Sequence, residues 1–316
     1  MTLLYQPSAV LRSFHLPVSY GHQIHVEEYG NPDGVPVLVC HGGPGAGLHK
    51  ATQTYFNPAR YRIILYSQRG CGRSSPHSLE HNNTQLLVAD MLALLDYLDL
   101  PKCIIAGGSW GATLALLFAQ QHRERVIGLI VWASFFATKD DLVWLYGHAG
   151  AGAQFYPERF AIFSHGEADY ERILEIYRRQ LFGEDELLQH KAAQLWLDWD
   201  RLLSVDIHLQ RYQLHSGGNL VAQARLMVHY MSSRCFIDEL QIFHHGESIA
   251  SLPIWMIHSR QDLVCRFASA QKFAEQVGAR LLILEGVGHS STNKVYSEAI
   301  RRAADLLLCK IDKNRG

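Results

Sequence analysis

The chain has no excess of charge of either sign. Its 316 residues carry 29 Lys and Arg against 30 Asp and Glu, a formal net charge of −1. No run of Lys or Arg is long enough to form a binding arm. Capture of nucleic acid or of an anionic membrane by electrostatics is therefore not expected. Apolar stretches fall short of the ~18 residues that a bilayer-spanning helix needs. The first 30 residues hold His15, His22, His25, Glu27 and Glu28 and lack an apolar core leading to a cleavage site. No signal peptide is expected. The six cysteines, at 40, 71, 103, 235, 265 and 309, form no C-x-x-C pair, and most sit beside apolar runs. That suits reduced thiols and a cytoplasmic setting better than a disulfide framework. Metal-site spacing is missing as well: His244-His245 is the only adjacent pair among 18 histidines, and it has no partner at ligand distance in the sequence. A G-x-G-x-x-G after a first strand is also absent, which argues against hydride transfer with a dinucleotide. Neither metal nor cofactor is expected.

What remains is an ordinary globular composition, 48% hydrophobic and 19% charged, with enough apolar material for a large core. Residues 24–29 alternate apolar and polar, the mark of a half-exposed antiparallel strand. Asn31-Pro32-Asp33-Gly34 is a turn signal. Residues 35–40, 61–66, 103–106 and 126–132 are continuous apolar runs, suited to strands covered on both faces. Between them, 86–98 and 112–120 have helical spacing. Strands alternating with helices imply right-handed crossovers and a mostly parallel sheet. From about 137 to 245 strand signals stop, and helical stretches follow near 140–148, 169–182, 184–203 and 219–231. Alternation resumes at Pro253, with strands expected over 254–258 and 280–285. The expectation is an α/β-hydrolase-type core, residues 1–136 and 246–316, with an inserted helical cap, residues 137–245. The tail from 310 to 316 is polar and expected to fray.

Gly107-Gly108-Ser109-Trp110-Gly111 joins an apolar strand run to a helical one. This is the G-x-S-x-G nucleophile elbow in its proper strand–turn–helix context. The glycines relieve a turn in which neighbours bearing a Cβ would collide, and the strained turn lifts the Ser109 hydroxyl clear of the sheet. His41-Gly42-Gly43-Pro44-Gly45 follows an earlier strand. Acyl transfer needs pre-aimed donors for an oxyanion, and the Gly43 and Trp110 backbone N–H groups are the candidates. Asp262 and His289 each follow a late strand. If the strands run parallel, both loops converge on Ser109. In the order Ser, acid, His, they complete a triad: His289 shuttles the proton, and Asp262 fixes its tautomer.

Together these segments resemble the proline iminopeptidases (prolyl aminopeptidases) of the α/β-hydrolase superfamily, along nearly the whole chain. The resemblance is carried by Gly30-Asn31-Pro32-Asp33-Gly34, His41-Gly42-Gly43-Pro44-Gly45 and Gln68-Arg69-Gly70-Cys71-Gly72-Arg73-Ser74. Gly107-Gly108-Ser109-Trp110-Gly111 and Gly288-His289-Ser290 add to it. It implies a serine hydrolase with Ser109, Asp262 and His289 as triad, acting on a short peptide or small ester or amide. It also implies a substrate pocket with Asp200, Trp199, Met227 and Tyr230. Two departures stand out. Ser67 occupies the place of an Asp before Gln68-Arg69-Gly70. In the cap, two acidic residues of the family bind the free amine of an N-terminal proline. Trp196-Leu197-Asp198-Trp199-Asp200 retains one as Asp200, one methylene shorter, with Asp198 as a substitute only if the helix is rotated. At the other position Met227 replaces the acid.

Two enzymatic readings follow. One is release of an N-terminal proline or similar small residue, with Asp200 holding the amine. The other is an esterase or amidase on the same scaffold that has lost amine recognition, Met227 suiting an apolar acyl group. A binding protein that merely keeps the fold is the third possibility, and the filled catalytic positions argue against it.

Overall fold

The computed structural model describes residues 4–204 and 220–313. Its strands are β1 (Val10–Pro17), β2 (Gln23–Gly30), β3 (Val35–Cys40), β4 (Tyr61–Tyr66), β5 (Cys103–Gly108), β6 (Val126–Trp132), β7 (Ile254–Ser259) and β8 (Arg280–Leu284). They form one sheet in the order β1-β2-β4-β3-β5-β6-β7-β8. From β4 to β8 every neighbouring pair is parallel, and β1 and β2 add an antiparallel edge.

Period-two alternation explains why the central strands are continuous apolar runs. In β3, Leu38 and Cys40 enter one buried cluster while Val37 and Val39 enter the other; in β5, Cys103 and Ile105 oppose Ile104 and Ala106. The helices α1 (Thr84–Tyr97) and α2 (Trp110–Gln121) fill the first face, and the last helix of the chain, Lys294–Lys313, fills the second. Asn83 caps α1 by accepting from the Leu86 N–H.

Between β6 and β7 all described elements are helical. The α-helices are α3 (Lys139–Tyr146), α4 (Ala151–Phe155), α5 (Pro157–Phe163), α6 (Tyr170–Phe182), α7 (Glu186–Ser204), α8 (Leu220–Ser232) and α9 (Gln241–His244), with short 3-10 turns at Arg234–Phe236 and Gly246–Ile249. After β7 come α10 (Phe267–Val277) and, after β8, the last helix, α11. The interior of the helical region is aromatic: Phe163 stacks on Trp199 at 4.7 Å between ring centroids, with Trp196 and Tyr177 against it. The region is tied to the core at several places, and α2 and α10 also hold α9, through Gln120 and Gln276 donating to the Ile242 and Phe243 carbonyls at 2.7 Å each. On one side the Tyr230 hydroxyl donates to Asn82 Oδ1 at 2.7 Å, and Gln85 and Thr84 donate to the Phe236 and Cys235 carbonyls. On the other, Ser269 at the start of α10 donates to Asp141 (3.1 Å), and Arg266 pairs with Asp140 (2.8 Å). Among the described residues no helix is long and apolar enough to cross a membrane.

Several local expectations are corrected. β2 is antiparallel as expected but buried along most of its length. Its polar positions are covered by cations: Lys50 and Arg73 over Glu27, Arg12 and Arg62 over Glu28. β8 is half-exposed, because it is the sheet edge. β1, α4 and α5 lacked a clear periodic signal. The helix expected from 219 begins at Leu220, and residue 219 lies outside the described residues. Helix α11 runs to Lys313, so 310–313 are helical; 314–316 lie outside the described residues.

Arg69 and Asp90 are buried together, their side chains 0% and 3% exposed. Arg69 makes two hydrogen bonds to the carboxylate and others to the His81 carbonyl and Ser19 hydroxyl. Removing one partner strands a buried charge. Asp90→Ala is expected to lower unfolding free energy by about 3–5 kcal/mol, read by urea denaturation. The double variant Arg69→Met/Asp90→Leu is expected to lose much less.

Candidate active site

Ser109 occupies the turn between β5 and α2 with φ 56° and ψ −124°. An L-residue is held there only when its surroundings over-determine it. Its N–H donates to the Trp132 carbonyl at the end of β6 (3.0 Å). The neighbouring positions must be glycine: a Cβ on Gly108 would overlap the Trp132 indole, and one on Gly111 the Cys40 carbonyl. Helix α2 opens at Trp110, so that residue's backbone N–H is among the amides left without an intrahelical acceptor. Gly43, in the loop after β3, has φ 115°.

His289 and Asp262 arrive on the loops after β8 and β7. His289 Nδ1 lies 2.9 Å from Asp262 Oδ2 and 3.1 Å from Oδ1. The Val264 and Cys265 N–H groups each donate to Asp262 Oδ1 at 2.8 Å. Behind the carboxylate stands buried His258. It accepts from the Ser134 N–H at Nδ1 (3.2 Å), so its proton is on Nε2, which donates to the Cys265 carbonyl (3.1 Å). Burial pushes the Asp262 pKa up, but the charge of His289 and its hydrogen bond, with His258 and the Cys265 N–H, hold it below the ordinary value. Burial pulls His289 down; the Asp262 charge and hydrogen bond, with the charge of Asp200, more than reverse this and raise it. The Cys265 thiol is within hydrogen-bonding reach of the Ser109 side chain. Donor atoms of Asp262, Cys265 and His289 lie within 4.8 Å of one another. Asp262 and His289 are already joined to each other, and nothing sets the group apart for an ion.

Ser109 and His289 open into one cavity of about 350 Å³ between sheet and helical region. Gly43, Asp200 and Met227 line it too. Asp262 is buried behind His289, and Trp110 is wholly buried. Trp199 and Tyr230 do not line the cavity. Trp199 faces the aromatic interior and donates its indole N–H to the Leu145 carbonyl at 3.1 Å. Tyr230 meets Trp110 edge-on at 5.1 Å, its hydroxyl spent on Asn82. Asp198 is exposed and accepts from Gln194 at 2.8 Å, away from the cavity. Several lining residues escaped sequence reasoning, among them Phe135, Leu145, Gln223 and Met231. Gln223 stands one turn before Met227 on α8, so helical spacing could have found it. Tyr146, one of the aromatics that make the helical segment stand out in the sequence, also lines the cavity; its buried hydroxyl has no hydrogen-bond partner among the described residues.

A mostly parallel sheet with a serine on a strained strand–helix turn, and a histidine–aspartate pair on later loops, defines an α/β hydrolase. A family model of the alpha/beta hydrolase fold matches residues 35–292. A proline iminopeptidase from Neisseria gonorrhoeae is 34% identical over 312 residues, 98% of this chain and 100% of that protein. One from Arabidopsis thaliana is 33% identical over 296 residues, 91% of this chain and 77% of that protein. The chain belongs to the proline iminopeptidase family of hydrolases. Among solved structures, a proline iminopeptidase-related protein from Thermus thermophilus shares the fold. Its TM-score is 0.60 at 19% identity, covering 95% of this chain and 98% of that one.

Asp200 contributes a negative charge that raises the His289 pKa. Asp200→Asn removes that charge, so the pKa is expected to move down. The measurement is NMR titration of the His289 ring in wild type and variant. An unchanged or higher value would show that the two groups are not coupled.

Proposed function

We propose that the protein releases an N-terminal proline, or a similar small residue, from short peptides by serine catalysis. The observation that carries this reading is a carboxylate, Asp200, lining the same cavity as Ser109 and His289. Ser109 Oγ attacks the scissile carbonyl carbon while His289 takes its proton. Asp262 keeps the imidazole proton on Nδ1 and stabilises the imidazolium. The Gly43 and Trp110 N–H groups receive the oxyanion. His289 then protonates the departing amine, leaving an acyl-enzyme that water hydrolyses with His289 again as base. Asp200 holds the substrate ammonium. A charge-assisted hydrogen bond there is worth ~1.5–3 kcal/mol, roughly ten- to a hundredfold. The protein works in the cytoplasm on this reading, consistent with six free cysteines.

One observation favours a second reading. Met227 lines the cavity where the family resemblance leads one to expect another acid. Among the described residues the cavity has one carboxylate beside Leu145, Phe135, Met227 and Met231, a lining that also suits an apolar acyl group. On that reading the protein is an esterase or amidase indifferent to a free amine.

Initial rates on prolyl-, alanyl- and N-acetylprolyl-arylamides beside a short acyl ester separate the two. The expected result is turnover of the free prolyl substrate, loss on acetylation and none in Ser109→Ala. Asp200→Asn is expected to cost roughly ten- to a hundredfold in kcat/KM for the amine substrate and little for the ester. Met227→Glu is expected to raise preference for the free amine. If the ester dominates and the prolyl amide is ignored, the second reading replaces the first.

A further inference from the structure

Gln68 follows β4, is 2% exposed and does not line the cavity. It nevertheless joins the two sides of the proposed oxyanion site. Its side-chain N–H donates to the His41 carbonyl at 2.8 Å, and its side-chain oxygen accepts from the Trp110 indole N–H at 3.0 Å. An indole can only donate and a peptide carbonyl can only accept, so the carboxamide has one workable orientation. The Gln68 backbone N–H donates to His41 Nε2 at 2.9 Å. That leaves the His41 proton on Nδ1, which donates to the Gly42 carbonyl at 2.9 Å. Burial keeps this ring neutral: its pKa is pulled down to about 4, the Gly42 bond offsetting only part of the effect.

The Gly42 carbonyl and the Gly43 N–H belong to the same planar peptide unit. Fixing the direction of the C=O therefore fixes the direction of the N–H, which points the opposite way. We propose that Gln68 is the positioning residue of the oxyanion hole, setting the Gly43 donor through His41 and the Trp110 donor through its indole. The inference rests on the serine-hydrolase reading above. No other residue type serves as well here. An ionised glutamate accepts from Trp110 but cannot donate to His41, a protonated one offers an O–H in place of the N–H with different geometry, and methionine does neither.

Loss of an entire oxyanion donor costs about 10²–10³ in kcat; misaiming two donors that remain present costs less. Gln68→Glu and Gln68→Met are therefore expected to lower kcat roughly ten- to a hundredfold while KM stays within about threefold, measured on the best wild-type substrate. Affinity for a boronic acid that mimics the tetrahedral adduct is expected to fall in parallel with kcat/KM. Trp110→Phe removes one bond of the same network without touching Gln68. In that background Gln68→Met is expected to cost less than in wild type, because the two share a path. Thermal unfolding of each variant separates loss of folding from loss of aim. If Gln68→Met does not fold, the near-isosteric Gln68→Glu and the Trp110→Phe variant read the same kcat effect. Folded variants that retain kcat within about threefold, or lose activity through KM alone, overturn the proposal. Turnover by Ser109→Ala overturns instead the serine-hydrolase reading on which it stands.

Discussion

The close crossing of three backbone segments at the end of β5 is the constraint on which the site depends. The chain leaves β5, places Ser109 in a positive-φ conformation and enters α2 with no intervening loop. A non-glycine residue held there costs about 1–3 kcal/mol. The cost is borne because β3 and β6 close in on either side, the Cys40 carbonyl against Gly111 and the Trp132 ring against Gly108. Other features follow from this crossing. It begins α2 with unpaired amides beside Ser109, and it brings the end of β3, with the loop carrying Gly43, next to them. It also makes Trp110 the first residue of the helix, with its ring wedged between Gln68 and Tyr230.

The helical region contributes both shape and charge. Ties through Asn82, through Asp140 and Asp141, and through Gln120 and Gln276 set it over the sheet. Its aromatic interior supports α7 from behind, which leaves Asp200 facing the cavity while Trp199 faces inward. Division of labour within one helix turn is the usual outcome of a 3.6-residue period: adjacent positions cannot share a face.

Much of this arrangement was legible in the sequence because it obeys strict local rules. Strands β3, β4 and β6 coincide with their apolar runs, since buried parallel strands have no polar face to blur the pattern. Ser109, Asp262 and His289 could be proposed together from their order and their places after strands. What was not legible depended on neighbours. Trp199 and Tyr230 are aromatic residues in the right segment, yet orientation turned both away from the cavity. Leu145, Phe135 and Met231 line it from positions that nothing in the sequence set apart from ordinary core residues. β1 was hidden because an exposed edge strand needs no apolar alternation.

β8 has a strand on one side only, and Ile283 is 41% exposed. The loop carrying His289 hangs from that strand, whereas Ser109 sits at the centre of the sheet. Elements at an edge open locally at lower free energy than central ones. The imidazole is thus anchored to an edge of the sheet, which opens more readily, and the serine to its centre, which opens late. Heating will uncouple the two before the molecule melts, so inactivation runs ahead of loss of secondary structure. Thermal lifetime as an enzyme is set at the margin of the sheet, and its lifetime as a folded chain is set in the middle.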